Sequence, residues 1–342
     1  MQPLIDSHIH LWDPHTTPRA ATPLVKALGW NRRLLHRVAR LATPSATMKF
    51  IGKPDHVCKR YASPEYKSDI AGLSRLGFSF RSAVHVEAGW KAGTHLQLAD
   101  ETAWLENDIQ TPLQAIVGCA ELDHPQFESL LQAHIDASPR FVGVRDKLAS
   151  DPRSRIMSWA RSPDLLNSRQ WRQGLKILAE KNLGFDAWVY SPQLDDLRKA
   201  ISSSPDTRVV LCHLGTPIAQ GESAGERRQW QVDMQALSRL PNVSVKLSGL
   251  TMPIVGWRLH EKAAPIDVDQ LYDCLAPYYR FVLDNFGPHR CMFGSNYPID
   301  KVSASYLSLL EVLDRVVGEY GGDARAQVFH DTARAHYEPS LR

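Results

Sequence analysis

At 342 residues the chain is longer than the usual ~100–200 residues of one domain, yet a single α/β barrel accommodates this length. Hydrophobic residues make up 43% and charged residues 23%, the balance of an ordinary soluble globular protein. A net charge of +3 is too small to point to nucleic acid or a membrane surface as a partner.

The five cysteines (Cys58, Cys119, Cys212, Cys274 and Cys291) are odd in number and widely spaced, and three fall in apolar stretches. That pattern reads as free thiols in a reducing compartment, not as a disulfide framework. No basic segment followed by an apolar run opens the sequence, and no apolar run approaches the ~18–20 residues that span a bilayer. A cytoplasmic location is expected.

The first stretch, Leu4 to Trp12, alternates apolar and polar residues and predicts a strand. Strict alternation would put Ile5, Ser7, Ile9 and Leu11 on one face and Asp6, His8 and His10 on the other. Two imidazoles two residues apart on a strand stand about 7 Å apart along it, at ~3.4 Å per residue. They can then converge on one ligand; a surface hairpin that happens to carry two histidines is the plain alternative.

Residues 15–62 break the pattern, with several prolines and the basic residues Arg32, Arg33, Arg37, Arg40, Lys49, Lys53, Lys59 and Arg60. One amphipathic helix is expected near Val25 to Leu41. The segment reads as a long insertion after the first strand, either a lid or a solvated basic loop.

A regular alternation follows. Strands are predicted at Ser79–Glu87, Leu113–Leu122, Phe141–Arg145, Phe185–Tyr190, Arg208–Leu214, Val243–Leu250 and Arg290–Tyr297. Helical patterns follow them, among them Phe127–Ser138, Arg169–Asn182, Val268–Phe286 and Tyr306–Val317, with a last helix over Ala324–Tyr337. Eight strand–helix units in one chain predict an α/β fold of the (β/α)8 TIM-barrel type over residues 1–342, distorted by the insertion. No G-x-G-x-x-G opens a helix after a strand, which argues against a dinucleotide fold.

In such a barrel the active site lies at the C-terminal ends of the strands. The predicted strand ends carry His8 and His10; His85 and Glu87; Glu121, Asp123 and His124; Arg145 and Asp146; Tyr190; His213; Lys246 and Ser248; and Asn296 and Tyr297, with Asp300 just beyond. Polar ends on apolar strands mark a polar barrel-mouth site.

Six blocks in order carry a family likeness: His8-x-His10-x-Trp12-Asp13, Val86-Glu87-Ala88, Gly143-Val144-Arg145, Cys212-His213-Leu214-Gly215-x-Pro217, Lys246-Leu247-Ser248-Gly249 and Phe293-Gly294-Ser295-Asn296-Tyr297-Pro298. Together they resemble the amidohydrolase superfamily, in its amidohydrolase-2 branch near the sugar-lactone and 2-pyrone-4,6-dicarboxylate lactonases. The resemblance runs from residue 4 to about 310 and leaves 15–62 uncovered. It implies a barrel that hydrolyses esters, lactones or amides, or in some relatives breaks carbon–carbon bonds.

The resemblance also implies that His8 and His10 can hold a divalent metal, zinc or manganese, and that His213 polarises substrate or moves a proton. Two positions depart from it. The fifth strand ends Trp188-Val189-Tyr190 without a histidine, and Asn296 stands where the branch commonly has an aspartate. An asparagine amide is neither a base nor an anionic ligand. With two usual ligands missing, a metal-free site is the expectation, although Glu87 offers a third ligand beside His8 and His10.

His213 and Glu87 are the candidate bases, Arg145 the group for a carboxylate or an oxyanion, and Asn296 a holder of water or oxyanion. Arg145 has a structural alternative, an ion pair with Glu87 or Glu121. Asp300 reads first as a solvated loop carboxylate, with reaching in from the loop as a base the alternative. His8, His10, Lys246, Tyr190 and Tyr297 are expected around the substrate. The expected function is hydrolysis of a small carboxylated or sugar lactone. A metal-dependent decarboxylase or carbon–carbon hydrolase of an aromatic ring-cleavage product, and an inactive ligand-binding barrel, are the alternatives. The partner is a small-molecule substrate, and the insertion leaves room for a homo-oligomer. Specificity is expected in 15–62 and 251–267.

Overall fold

The computed structural model describes residues 1–218, 224–262 and 266–338, so parts of the loops after the sixth and seventh strands lie outside the described residues. Eight strands form one sheet: β1 (Gln2–Ile9), β2 (Phe78–Val86), β3 (Leu113–Cys119), β4 (Phe141–Lys147), β5 (Gly184–Trp188), β6 (Val209–Leu211), β7 (Val243–Leu247) and β8 (Cys291–Phe293). Neighbours pair in parallel, and their order in space is their order in sequence.

The sheet closes just beyond β8. Ile9 bridges to Tyr297, the His10 N–H donates to the Tyr297 carbonyl (2.8 Å), and the Asn296 N–H donates to the His8 carbonyl (2.9 Å). The fold is a (β/α)8 barrel. Its strands are apolar on both faces because one face meets the barrel interior and the other meets the helices.

The interior is packed by Ile5, Val84, Val86, Ala115, Val117, Val142, Val210 and Met292, joined by Ala333 and Tyr337 of the C-terminal helix. That helix seals the N-terminal end of the barrel: Arg208, just before β6, donates to the His336 carbonyl. The outer layer includes Val268–Phe286, whose start is capped by Asp267 accepting from the Asp269 N–H (2.9 Å).

Strict alternation fails in β1. The register against β2 slips between Asp6 and Ile9, which is a β-bulge. Ile5 therefore faces the interior, whereas Ile9 and Leu11 join the outer core. Asp6 is turned away from the histidines and accepts from the Tyr66 hydroxyl (3.0 Å) and the Ser295 N–H (2.8 Å). The expected grouping of Asp6 with His8 and His10 is thus corrected by one extra residue.

Residues 15–62 fold into four short helices, Thr22–Leu28, Arg32–Ala42, Ser45–Ile51 and Pro54–Val57. The single helix expected near Val25–Leu41 is split, with Asn31 capping the second piece by accepting from the Leu34 N–H (3.1 Å). Val25, Leu35, Ala39 and Cys58 give the insertion a small core of its own. Its two ends are joined where Trp12 and Tyr61 exchange backbone hydrogen bonds (2.7 and 2.9 Å). Among the described residues no helix is long and apolar enough to cross a membrane.

Candidate active site

The mouth of the barrel holds a small cavity of about 100 Å³. His10, Glu87, Arg145, His213 and Asn296 line it, brought from the ends of five strands. Trp12, Phe50, Trp159, Trp188, Met252 and Ile299 form its apolar wall, and Arg19 and Lys147 stand at its edge.

His10 is fixed by its Nδ1, 2.8 Å from the Val86 carbonyl, which only a protonated Nδ1 can satisfy. Its Nε2 lies 3.2 Å from Nε2 of His8. Nδ1 of His8 is 3.3 Å from the Lys246 ammonium, and that ammonium is 2.6 Å from Asp186 Oδ2. Tyr337 donates to the other oxygen of Asp186 (2.8 Å). A buried polar column therefore runs from Asp186 through Lys246 and His8 to His10, each member partnered. Burial holds both histidines well below the usual imidazole range, reinforced at His8 by Lys246 and at His10 by Arg145.

Glu87 and Arg145 form a buried ion pair. Arg145 donates to Glu87 Oε1 through Nε (3.0 Å) and Nη2 (2.7 Å), and Nη2 also reaches the Glu87 carbonyl (2.8 Å). The Gly89 N–H donates to Oε2 (3.0 Å). Burial raises the Glu87 carboxyl, but Arg145, Lys147 and these donors outweigh it and hold Glu87 far below the carboxylate range. A carboxylate so stabilised is a weak base, and the ion pair with Arg145 engages Oε1, while Oε2 accepts only from Gly89. The structural alternative for Arg145 is the arrangement found, with Glu87 as its partner; Glu121 instead lies 3.6 Å from Arg161.

β6 stops after three residues because the chain then turns through a left-handed run: His213 (φ +56°), Leu214 (+53°), Gly215 (+70°) and Thr216 (+41°). Such backbone is costly for residues with a side chain and persists only where neighbours enforce it. The Trp188 indole donates to Thr216 Oγ1 (3.2 Å) and the Trp230 indole to the Leu214 carbonyl (2.9 Å). The turn aims the His213 ring into the cavity, with Nδ1 2.8 Å from Ser248 Oγ. Burial, then the charge of Arg145, keeps His213 well below the imidazole range and so neutral.

Gly249 makes room for that ring. A Cβ there would lie 2.4–2.6 Å from three His213 atoms, and its φ is +70°. Gly249→Ala is expected to push His213 aside, lowering kcat at least tenfold and stability by about 1–3 kcal/mol; kinetics and thermal unfolding of the purified variant check both.

Asn296 also sits at positive φ (+55°). Asp300 is not solvated: it is 1% exposed, behind Asn296, with Thr251 and Gly249 beside it. The turn after β8 folds it inward, and the Asp300 N–H donates to the Asn296 carbonyl (3.2 Å).

The expected substrate residues divide. His10 lines the cavity, whereas His8 and Lys246 lie beneath it, His8 packed against both His10 and His213. Tyr190 and Tyr297 are drawn away by their hydroxyls, which donate to the Met157 (2.7 Å) and Ala304 (2.6 Å) carbonyls. Sequence reasoning missed Arg19, Phe50, Trp159 and Lys147. Arg19 and Phe50 come from the insertion and Trp159 from the 148–168 connection, where nothing periodic points inward. Lys147 was legible, two residues past Arg145 on the same strand.

The histidine pair has the spacing of a metal grip. Two ligands at 2.0–2.1 Å from a tetrahedral ion lie about 3.3–3.4 Å apart, close to the 3.2 Å between the Nε2 atoms. His8 also groups with Asp186 and Cys212, all within 4.8 Å, but the Lys246 ammonium already serves that group. The residues fit a two-histidine grip with its remaining positions left to water or substrate. A second group, His95, Glu121 and His124, lies at the rim. There the two rings stack 3.5 Å apart at 15°, so their nitrogens lie side by side instead of converging.

The amidohydrolase family model matches residues 5–338. The chain belongs to the amidohydrolase family. This amidohydrolase is 26% identical to an L-fucono-1,5-lactonase of Burkholderia multivorans, over 79% of this chain and 83% of that protein. A zinc-bound amidohydrolase structure from Burkholderia multivorans superposes with a TM-score of 0.70 at 23% identity, covering 98% and 99% of the two chains. A structure from Pseudomonas putida described as a 2-pyrone-4,6-dicarboxylic acid hydrolase gives a TM-score of 0.62 at 19% identity, covering both chains fully. As an amidohydrolase-type barrel, the protein is a hydrolase.

Proposed function

We propose that this amidohydrolase opens a small lactone that carries a carboxylate. The observation that carries the reading is the convergence of His213, Arg145 and Asn296 on one cavity with an apolar wall and a cationic edge. A neutral His213 whose Nδ1–H donates to Ser248 has Nε2 free as a general base. It takes a proton from water as the water oxygen attacks the lactone carbonyl. Arg145 spends Nε and Nη2 on Glu87, leaving Nη1 to donate to the carbonyl oxygen as it becomes negative. The ring C–O bond then breaks, and the proton on His213 passes to the leaving alkoxide, giving a hydroxy acid.

The walls favour a flat, apolar ring over a polyhydroxylated sugar. Phe50, Trp159 and Trp188 pack together with ring centroids 5.1–5.8 Å apart and offer few hydrogen bonds. Arg19 lies over Trp12 (3.9 Å), and its Nη1 is buried without a hydrogen-bond partner. With Lys147 it forms the edge that favours a carboxylate. In this reading residues 15–62 serve as a lid that supplies the recognition groups.

His8 and His10 are the residues that would hold a divalent metal, which when bound would polarise the carbonyl as a Lewis acid. The zinc in the structural relative and the Nε2 spacing count for this alternative over the metal-free site expected from sequence.

The test is acid release from a panel of acidic aryl lactones, neutral aryl lactones and sugar lactones, with elemental analysis of the same protein. Acidic lactones are expected to give the highest kcat/KM, with about one divalent ion per chain that is lost in His10→Asn. No turnover of any lactone would sink the proposed function. Turnover by protein that holds no metal would return His8 and His10 to the role of hydrogen-bond donors.

A further inference from the structure

Beneath the cavity, three polar side-chain atoms are buried without a hydrogen-bond partner: Asn296 Nδ2, Asp300 Oδ1 and Thr251 Oγ1. They belong to side chains that face one another, since Asn296, Thr251 and the Gly249 backbone all bear on the Asp300 carboxyl. No cation is among these neighbours. Tyr279, from the helix Val268–Phe286, and Tyr297, from the turn after β8, are titratable groups that feel the Asp300 charge. Asn296 also lines the cavity. Its amide thus has two sides, and the side carrying Nδ2 is turned inward to Asp300.

We propose that Asp300 is a positioning residue: as a neutral carboxyl it holds the Asn296 amide with Nδ2 inward and Oδ1 facing the cavity, where Oδ1 accepts a hydrogen bond from the attacking water. This assigns to a pair of residues the place that a single strand-end carboxylate would fill. Asn296 supplies the acceptor at the water, and Asp300 decides which end of the amide the water meets. An amide free to rotate would present Nδ2 half the time, a donor that turns the water's lone pair away from the carbonyl carbon. The carboxyl keeps its proton at neutral pH because it is buried with no cation to pair with, which pushes it up to about 8. A small approach of these side chains would let its carbonyl oxygen accept from Asn296 Nδ2 and its O–H donate to Thr251 Oγ1.

The inference rests on the hydrolase reading for its kinetic arm only. Asp300→Asn copies a neutral acid in shape and in its acceptor and donor, so it is expected to keep kcat within about threefold. Asp300→Ala frees the amide and is expected to lower kcat at least thirtyfold with KM within threefold. Independently of any substrate, the infrared difference between wild type and Asp300→Asn is expected to show a protonated carboxyl band at pH 7 that disappears above pH 8. Three results would overturn the proposal: an ionised carboxyl at pH 7, equal loss in the Asn and Ala variants, or an Ala variant that loses KM and kcat together. Failure of every lactone to turn over, with the carboxyl band present, would count against the hydrolase reading and leave the placement of the proton intact.

Discussion

Replacing His213 by alanine is expected to lower kcat by ~10²–10⁴, the range for loss of a positioned general base. The ring is the only cavity imidazole whose second nitrogen is fixed by a side-chain hydroxyl, that of Ser248 at 2.8 Å. KM should change little, because Arg19, Lys147 and the aromatic wall are untouched. The pH dependence follows in sign from burial. The base must be unprotonated, and His213 is held well below 6.5 by desolvation and by Arg145. The rate should therefore hold as pH falls through 6.5 and drop only at a lower pH. A kcat/KM profile that bends near 6.5, or an alanine variant with full activity, would remove His213 from this role.

Replacing Lys246 by methionine should destabilise the fold by about 3–5 kcal/mol, the cost of leaving one member of a buried ion pair without its partner. Lys246 is 0% exposed and Asp186 2% exposed, and among the described residues the ammonium is the only cation within hydrogen-bond distance of that carboxylate. The double change Lys246→Met with Asp186→Asn removes both charges and should recover much of the loss. Activity should not return with stability, since His8 loses the donor at Nδ1 that orients it toward His10. Denaturant unfolding of the single and double variants checks the first claim, and kcat of the double variant checks the second.

These two residues also show how far the sequence reaches. Lys246 was visible as a lysine in an apolar strand, and such a residue must have a partner. Asp186 was visible two predicted strands earlier, on β5, and only the parallel register of β5, β6 and β7 brings the two side chains together across the interior. His213 was legible from its place after an apolar run, but the left-handed turn that aims it was not. Three residues with side chains at positive φ obey no local propensity; they are enforced by Trp188, Trp230 and the gap left by Gly249.

The (β/α)8 barrel was legible in the sequence, because eight apolar runs alternating with helical patterns fit a closed barrel better than an open doubly wound sheet, and both bury the two faces of the strands. The sequence also showed polar residues at the ends of the apolar strands, and His10, Glu87, Arg145, His213 and Asn296 among them line the cavity. Tertiary structure alone decided which of them meet. The bulge in β1 turned Asp6 outward, carbonyls of distant loops drew Tyr190 and Tyr297 away, and Arg145 neutralised Glu87 as a base. The same folding brought Arg19 and Phe50 of the insertion to the cavity and buried Asp300 behind Asn296. Each of these turns on a contact between residues far apart in the chain, and sequence periodicity reports only which face a residue prefers, not what waits for it there.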